Sequence, residues 1–407
     1  MKGVVELPPP PTDLASYGYV RGLDGLRLAA VTIVVLAHYR LSAALPGGFG
    51  VTIFFAISGF LISRLLLAEE RRHGKISLRN FFIRRFLRLM PPLVIMLFIT
   101  ASLYAFAFGR PVNVLEILSA IFYVSNLYTV AQMFWPLKPG LHEYGPLWSL
   151  AVEEHFYLIF PFLLFFVRRW GSRVKILAGV IIGSLALRIL ASYSVADPES
   201  FNYYFTLTRL DAIAWGCLLS FGLENEETRR VLANARGWRS FLFASAILLG
   251  GIAYRSIFFQ DTFRYTVHGF GMLLLLNAFI FGSSMSVLTR IAEWRPIQLG
   301  GRMSYEIYLW HQHVWFVISL LVERYAFRLG LSLVLTLLVS YGLYRLTTMA
   351  TKRIARQFGS KSVEDERQKA YQPERHREAG LHPPRSMQTV ANGSQDELEL
   401  KAPNPSG

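Results

Sequence analysis

Arg27 and His38 lie eleven residues apart within one apolar run. In a helix that spacing is about three turns, so both side chains share a face about 16 Å apart along the axis. An imidazole held there can take the proton of an attacking hydroxyl, and a carboxylate can fix its tautomer. A second run opens Trp148-Ser149-Leu150-Ala151-Val152-Glu153-Glu154-His155. Successive helical residues point about 100° apart, so only one of the two glutamates can face a given pocket squarely. Glu153 is the expected orienter of His38. A third run carries Arg209-Leu210-Asp211, read as an ion pair at the same depth, and Arg209, Asp211, Tyr308 and His311 are the expected substrate-binding residues. Charged groups at such depth are costly in lipid and are functional candidates by default.

A lower constellation consists of Arg27, Arg85, Arg88 and Arg302, fixed cations able to hold the phosphates of an anionic donor. Between the two layers come Ser58 and the series Ser304, Tyr308 and His311, spaced i, i+4 and i+7 on one helical face. A phosphate-bearing thioester entering from below and a hydroxyl acceptor from above would meet at this level. Arg209, Ser58 or Tyr308 is then placed to stabilise the oxyanion, and Ser58 and His38 are both possible acyl carriers. Each group has a plainer competing role. His38 can be a satisfied interfacial histidine, Arg209 with Asp211 a structural pair, Arg84 a lipid anchor, and His311 with His313 packing groups. No metal-binding spacing and no nucleotide or serine-hydrolase motif occurs.

The elements that must position these residues follow from composition. The 407 residues are 53% hydrophobic and only 17% charged, which excludes an ordinary water-soluble domain, and a single cysteine, Cys217, excludes a disulfide scaffold. The formal charge of +15 sits largely in short segments between apolar runs, the pattern of membrane topology rather than of nucleic-acid binding. Eleven apolar runs can be marked: 22–40, 49–68, 89–109, 115–132, 147–167, 174–194, 206–222, 239–256, 266–284, 303–322 and 329–350. The loop 69–88 carries seven arginines and lysines and is expected in the cytoplasm. Eleven crossings would invert the later basic loops. The run 115–132, with Glu116, Ser119, Ser125, Asn126 and Gln132, is therefore expected to be re-entrant or interfacial. An all-α bundle of about ten transmembrane helices results, with both termini cytoplasmic. Residues 1–20 are expected to be a retained cytoplasmic segment, 21–350 the catalytic bundle, and 351–407 a disordered cytoplasmic tail.

Five motifs occur in order: Arg27 and His38 after Gly22-Leu23-Asp24-Gly25-Leu26; Phe54-Phe55-Ala56-Ile57-Ser58-Gly59-Phe60; Arg85-Phe86-Leu87-Arg88 before Pro91; Trp148 to Glu153; and Gly301-Arg302-Met303-Ser304-Tyr305-Glu306-Ile307-Tyr308-Leu309-Trp310-His311. Together they resemble the acyltransferase-3 family of integral membrane acyltransferases, over about residues 18 to 350. The resemblance implies a ten-helix bundle in a bacterial cytoplasmic membrane, moving an acyl group, usually acetyl, from cytoplasmic acyl-CoA to a hydroxyl of an envelope saccharide or glycolipid. It also implies that Arg27 and His38 match the family's catalytic pair and that Arg85 and Arg88 match its paired-arginine motif. His155 and His313 depart from the family's common glutamine and proline. Some relatives carry a fused esterase-like domain; its absence here favours direct transfer, with handover to a separate envelope-biosynthesis protein as the alternative. A small cytoplasmic acceptor, a succinyl donor, or a proton-coupled transporter using Arg27, His38 and Glu153 are the competing functions. The last is disfavoured by the lack of an inverted repeat.

Overall fold

The structure is a computed structural model that describes residues 20–42, 46–135, 137, 141–235, 237–281 and 286–357. The segment 1–19 and the tail beyond Gln357 lie outside the described residues, so the roles expected for both termini are not addressed by it. The described chain is helical, with no strand. The expected runs become α1 (Leu23–His38), α2 (Gly47–His73), α3 (Leu78–Ser102, extended by a π-turn at Leu103–Ala107), α4 (Val114–Ile121), α5 (Ser125–Ala131), α6 (Trp148–Phe166), α7 (Trp170–Ser194), α8 (Pro198–Tyr204), α9 (Leu210–Glu224), α10 (Glu226–Asn234), α11 (Gly237–Ala253), α12 (Ile257–Asp261), α13 (Phe263–Phe281), α14 (Ser286–Ala292), α15 (Arg295–Arg302), α16 (Ser304–Leu321) and α17 (Tyr325–Gln357). Among the described residues, six stretches are long and apolar enough to cross a membrane: α2, α3 with its π-turn, α6 with the turn before it, α7, α13 and α17. α11 is a shorter apolar helix, and buried polar side chains occur on α2, α7, α9, α13, α16 and α17 among others.

The run 115–132 does not form one helix. Tyr123, held at φ 54°, separates α4 from α5. At 1.5 Å per residue neither exceeds about 12 Å, well short of the roughly 30 Å hydrocarbon layer. Asn126, fully buried, ties α5 to the α8 region by donating to the Tyr204 carbonyl and to Thr206.

α2 is the axis of the bundle. Its apolar window is 78% buried, against 22% for α17 and 28% for α7, whose outer faces leave apolar side chains exposed, among them Val334, Leu337 and Leu338 of α17 and Ile182 and Leu190 of α7. A helix that is apolar all round belongs at the centre. α2 packs closest on α9, and the reason is a pair of glycines. A Cβ on Gly59 would fall 2.0 Å from the Ile213 carbonyl oxygen, and one on Gly216 would fall 2.0 Å from that of Ala56. The Cys217 thiol bonds the Gly59 carbonyl across this contact at 3.3 Å. α1 runs antiparallel beside α2, with Gly50 against Ala30 and Val34, so the Arg27 end of α1 lies beside the Ser58 level of α2.

At the end of α2 rich in charge, the basic loop is organised by ion pairs. Arg173 forks onto Glu70 with two bonds of 2.8 Å, Arg64 and Arg71 share Glu224, and Arg84 meets Glu69 at 3.1 Å. Arg84 thus serves the loop's own structure.

Candidate active site

α1, α2, α3, α6 and α16 enclose a pocket of about 720 Å³, open mouth included. Arg27, Ser58, Arg85, Arg88 and Glu153 all line it, so five residues distant in sequence converge as their types suggested. Tyr308 and Ser149 line it as well. Adjacent helical positions divide the two glutamates. Glu153 faces the pocket beside Ser58, Arg85 and Arg27, while Glu154 accepts from Arg85 Nη2 at 2.9 Å. The Arg85 guanidinium also lies 3.3 Å from the centre of the Tyr157 ring, and the Tyr157 hydroxyl contacts Ser58. Arg85 is therefore held rigidly by Glu154 and Tyr157, while Arg88 stands exposed at the mouth.

Arg302, expected among the phosphate-binding cations, does not line the pocket. Its Nε meets buried Asp24 at 3.5 Å, and Asp24 also pairs with Arg27 at 3.6 Å. Asp24 thereby couples the start of α1 to α15 and sets the position of Arg27. Gly301 is what allows this approach, because a Cβ there would lie 1.9 Å from the Asp24 carbonyl oxygen.

His38, three turns above Arg27, is half-buried and meets His311. The hydrogen bonds determine both tautomers. His311 Nδ1 lies 2.6 Å from the Tyr308 carbonyl, which can only accept, so Nδ1 carries the hydrogen. In a neutral ring His311 Nε2 is then an acceptor. Its neighbour at 3.0 Å, His38 Nδ1, must donate. His38 Nε2 then carries the lone pair, the form a general base requires. The ring of His311 is fully buried, and Tyr39 donates to the His311 carbonyl at 3.0 Å while its hydroxyl also meets Thr336 of α17 at 2.6 Å. The partner that orients His38 in the structure is thus His311, and Glu153 belongs to the pocket below. Exposed His142 lies close enough to His38 to interact with it electrostatically.

Tyr308 links the two levels. Its hydroxyl donates to the Pro146 carbonyl at 2.7 Å and meets Ser149 at 2.7 Å, while its own carbonyl anchors His311. The i, i+4, i+7 series thus does converge, but His311 serves the histidine above the pocket and does not line the pocket itself.

The expected Arg209–Asp211 pair is corrected. Asp211 is held by Arg188 of α7 at 2.7 Å, both wholly buried, and by Thr266 at 2.7 Å. Positions two apart at the start of α9 do not face each other, and α7 supplies the nearer cation. Arg188 was legible as a lone charge within the apolar run 174–194, but sequence does not say which carboxylate it meets. Asp24, Tyr157 and Ser149 were likewise missed as supporting residues. Asp24 and Ser149 fall within the quoted motifs, but the role of all three is decided by neighbours from other helices.

A family model described as an acyltransferase domain matches residues 20–345. The chain belongs to the acyltransferase-3 family. Among similar proteins are the O-acetyltransferase OatA of Staphylococcus aureus strain NCTC 8325 / PS 47, 32% identical over 319 residues, and SACOL0978 of strain COL, whose name gives it the same activity provisionally, 34% identical over 317 residues. Each comparison covers 72% of this chain and 50% of the relative, so the chain spans about half the length of the curated relatives it matches. No solved structure matches it.

Proposed function

We propose that this member of the family is a membrane O-acyltransferase that moves an acyl group, acetyl by preference, from cytoplasmic acyl-CoA to a hydroxyl of a cell-envelope saccharide or glycolipid. The observation that carries the reading is the hydrogen-bond chain from the Tyr308 carbonyl through His311 to His38, which leaves a basic nitrogen above an arginine-lined pocket. The O-acetyltransferases at 32–34% identity support the same reaction class. Orientation follows the positive-inside rule, with the arginine-rich end of the pocket at the cytoplasm.

In this reading Arg85, Arg88 and Arg27 hold the donor's phosphates, and Ser58 and Glu153 form the polar wall beside them. His38 Nε2 takes the hydroxyl proton as that oxygen attacks the thioester carbonyl. When the C–S bond breaks, the thiolate leaves and takes the proton from His38, so the products are an O-acyl ester and the free thiol, with His38 again neutral. No covalent enzyme intermediate is needed.

The test is turnover by the purified full-length protein in lipid nanodiscs with acetyl-CoA and envelope glycan, read as ester formation by mass spectrometry. Ester that depends on His38, absent in His38→Ala at normal insertion, supports the reading. Thioester consumption without glycan ester, or ester on a small cytoplasmic acceptor alone, rejects it.

A further inference from the structure

Among the described residues Arg209 is a buried charge without a full set of partners. It is wholly buried at the start of α9, yet its Nε and Nη1 have no acceptor, and Nη2 reaches only the Thr52 hydroxyl at 3.4 Å. The carboxylate two residues on is taken, since Asp211 is engaged by Arg188 and Thr266. Within this buried group two guanidinium ions, Arg188 and Arg209, therefore share one carboxylate. Half-buried Arg264 adds a third cation on the same tyrosine, partly offset by Asp261 at the rim. The helix N-terminus contributes further positive potential.

What surrounds Arg209 is aromatic. Its guanidinium carbon lies 4.0 Å from the Tyr265 ring centre, 5.4 Å from Tyr203, 5.5 Å from Trp148 and 5.7 Å from Phe55. Ring faces attract a cation, but they accept none of its hydrogen bonds and replace only part of its hydration. Flat rings beside a planar donor fork are also the two elements that grip an acidic sugar, the rings taking the apolar face and the fork taking the acid. Phe55 belongs to both places. Its ring lines the open pocket on one side and the Arg209 cage on the other. Counted along α2, Thr52 stands six residues from Ser58, about 9 Å toward the His38 end. By position along α2 the cage thus lies between the level of the donor pocket and the level of His38.

We propose that Arg209, within the cage of Tyr203, Tyr265, Trp148 and Phe55, is an anion-binding residue of the acceptor site, taking a carboxylate or phosphate carried by the saccharide. The proposal rests on the reading of the acceptor as a saccharide. It makes the enzyme selective for acidic over neutral acceptors and explains why a cation is retained where lipid and rings alone would expel it.

The test is binding, which does not depend on turnover. The full-length protein in nanodiscs is titrated with glucuronate, glucose 6-phosphate and glucose, and its melting temperature is followed. The acids should raise it at concentrations where glucose does not, and comparison of the two acids tells which oxyanion the site takes. Arg209→Gln should weaken acid binding by about tenfold or more, the usual worth of a charge-assisted fork. Should Arg209→Gln fail to fold, Arg209→Lys keeps the charge without the fork and should weaken it by a smaller factor. Equal acid shifts in wild type and in the variants, or no acid effect beyond that of glucose, overturns the proposal. Acyl transfer from acetyl-CoA, measured separately on wild type, shows whether the function itself holds.

Discussion

If His311 sets the tautomer of His38, replacing it should cost catalysis in a graded and non-additive way. Three single variants and one double variant separate the effects. In His311→Gln the side-chain oxygen can occupy the place of Nε2 and still accept from His38 Nδ1. What is lost is mainly the 2.6 Å bond to the Tyr308 carbonyl. A neutral hydrogen bond contributes about 0.5–1.5 kcal/mol, so kcat should fall by roughly 2- to 10-fold. His311→Phe fills the same buried space but offers no acceptor, so the His38 ring is neither held nor kept in one tautomer. Misplacing a catalytic group by about 1 Å costs on the order of 100-fold, and that is the expected fall. His38→Ala removes the base and should cost about 10²- to 10⁴-fold. Because His311 acts through His38, the double variant His38→Ala with His311→Phe should be no slower than His38→Ala alone. The assay is initial-rate thiol release from acetyl-CoA in the presence of acceptor, with kcat and donor KM determined separately. Donor KM should hold in all variants, since the arginines that hold the donor do not touch His311. A His311→Phe enzyme within threefold of wild type, or a double variant slower by the product of the single effects, would refute the orienting role.

Two further outcomes concern the scaffold. Gly216→Ala places a methyl 2.0 Å from the Ala56 carbonyl and 2.8 Å from the Phe60 amide, both backbone, so α9 must move off α2. Overpacking of this kind costs about 1–3 kcal/mol or more, and the melting temperature should drop clearly; an unchanged value contradicts the close-packing account. Glu116, on the non-crossing segment, has its carboxyl pushed up to about 7 by burial, with Glu143 nearby adding to the rise and the Leu141 amide opposing it. A raised carboxyl favours the folded state at low pH, and that stability is lost as pH climbs from the ordinary carboxylate value through 7. Wild type should therefore melt at a higher temperature at pH 6 than at pH 8. Glu116→Gln should flatten this difference, and an identical pH dependence in the variant would show that other groups carry it.

Much of the site is legible in the sequence because lipid makes charge informative. Arg27, Arg85, Arg88 and Glu153 stand out as charges in or beside apolar runs, and they do line one pocket. The break at 115–132 is legible in the same way, since its polar residues and the alternation of basic loops both argue against a crossing. Arg302 and Asp211 are equally visible, yet each has a different partner from the one depth suggested. Depth along a helix follows from counting residues, but rotation about the axis and the identity of the neighbouring helix do not.

Periodicity, the loop charges and the motifs determined an all-helical membrane chain, the family it resembles and the level of each polar group. These are properties of the local chain and of its transfer from water to hydrocarbon, so sequence contains them. Packing decided the rest. Which helices touch depends on close approaches such as Gly59 with Gly216 and Gly301 with Asp24. Through them His311 rather than Glu153 reaches His38, Arg188 takes Asp211, and Arg209 is left buried among rings with donors to spare.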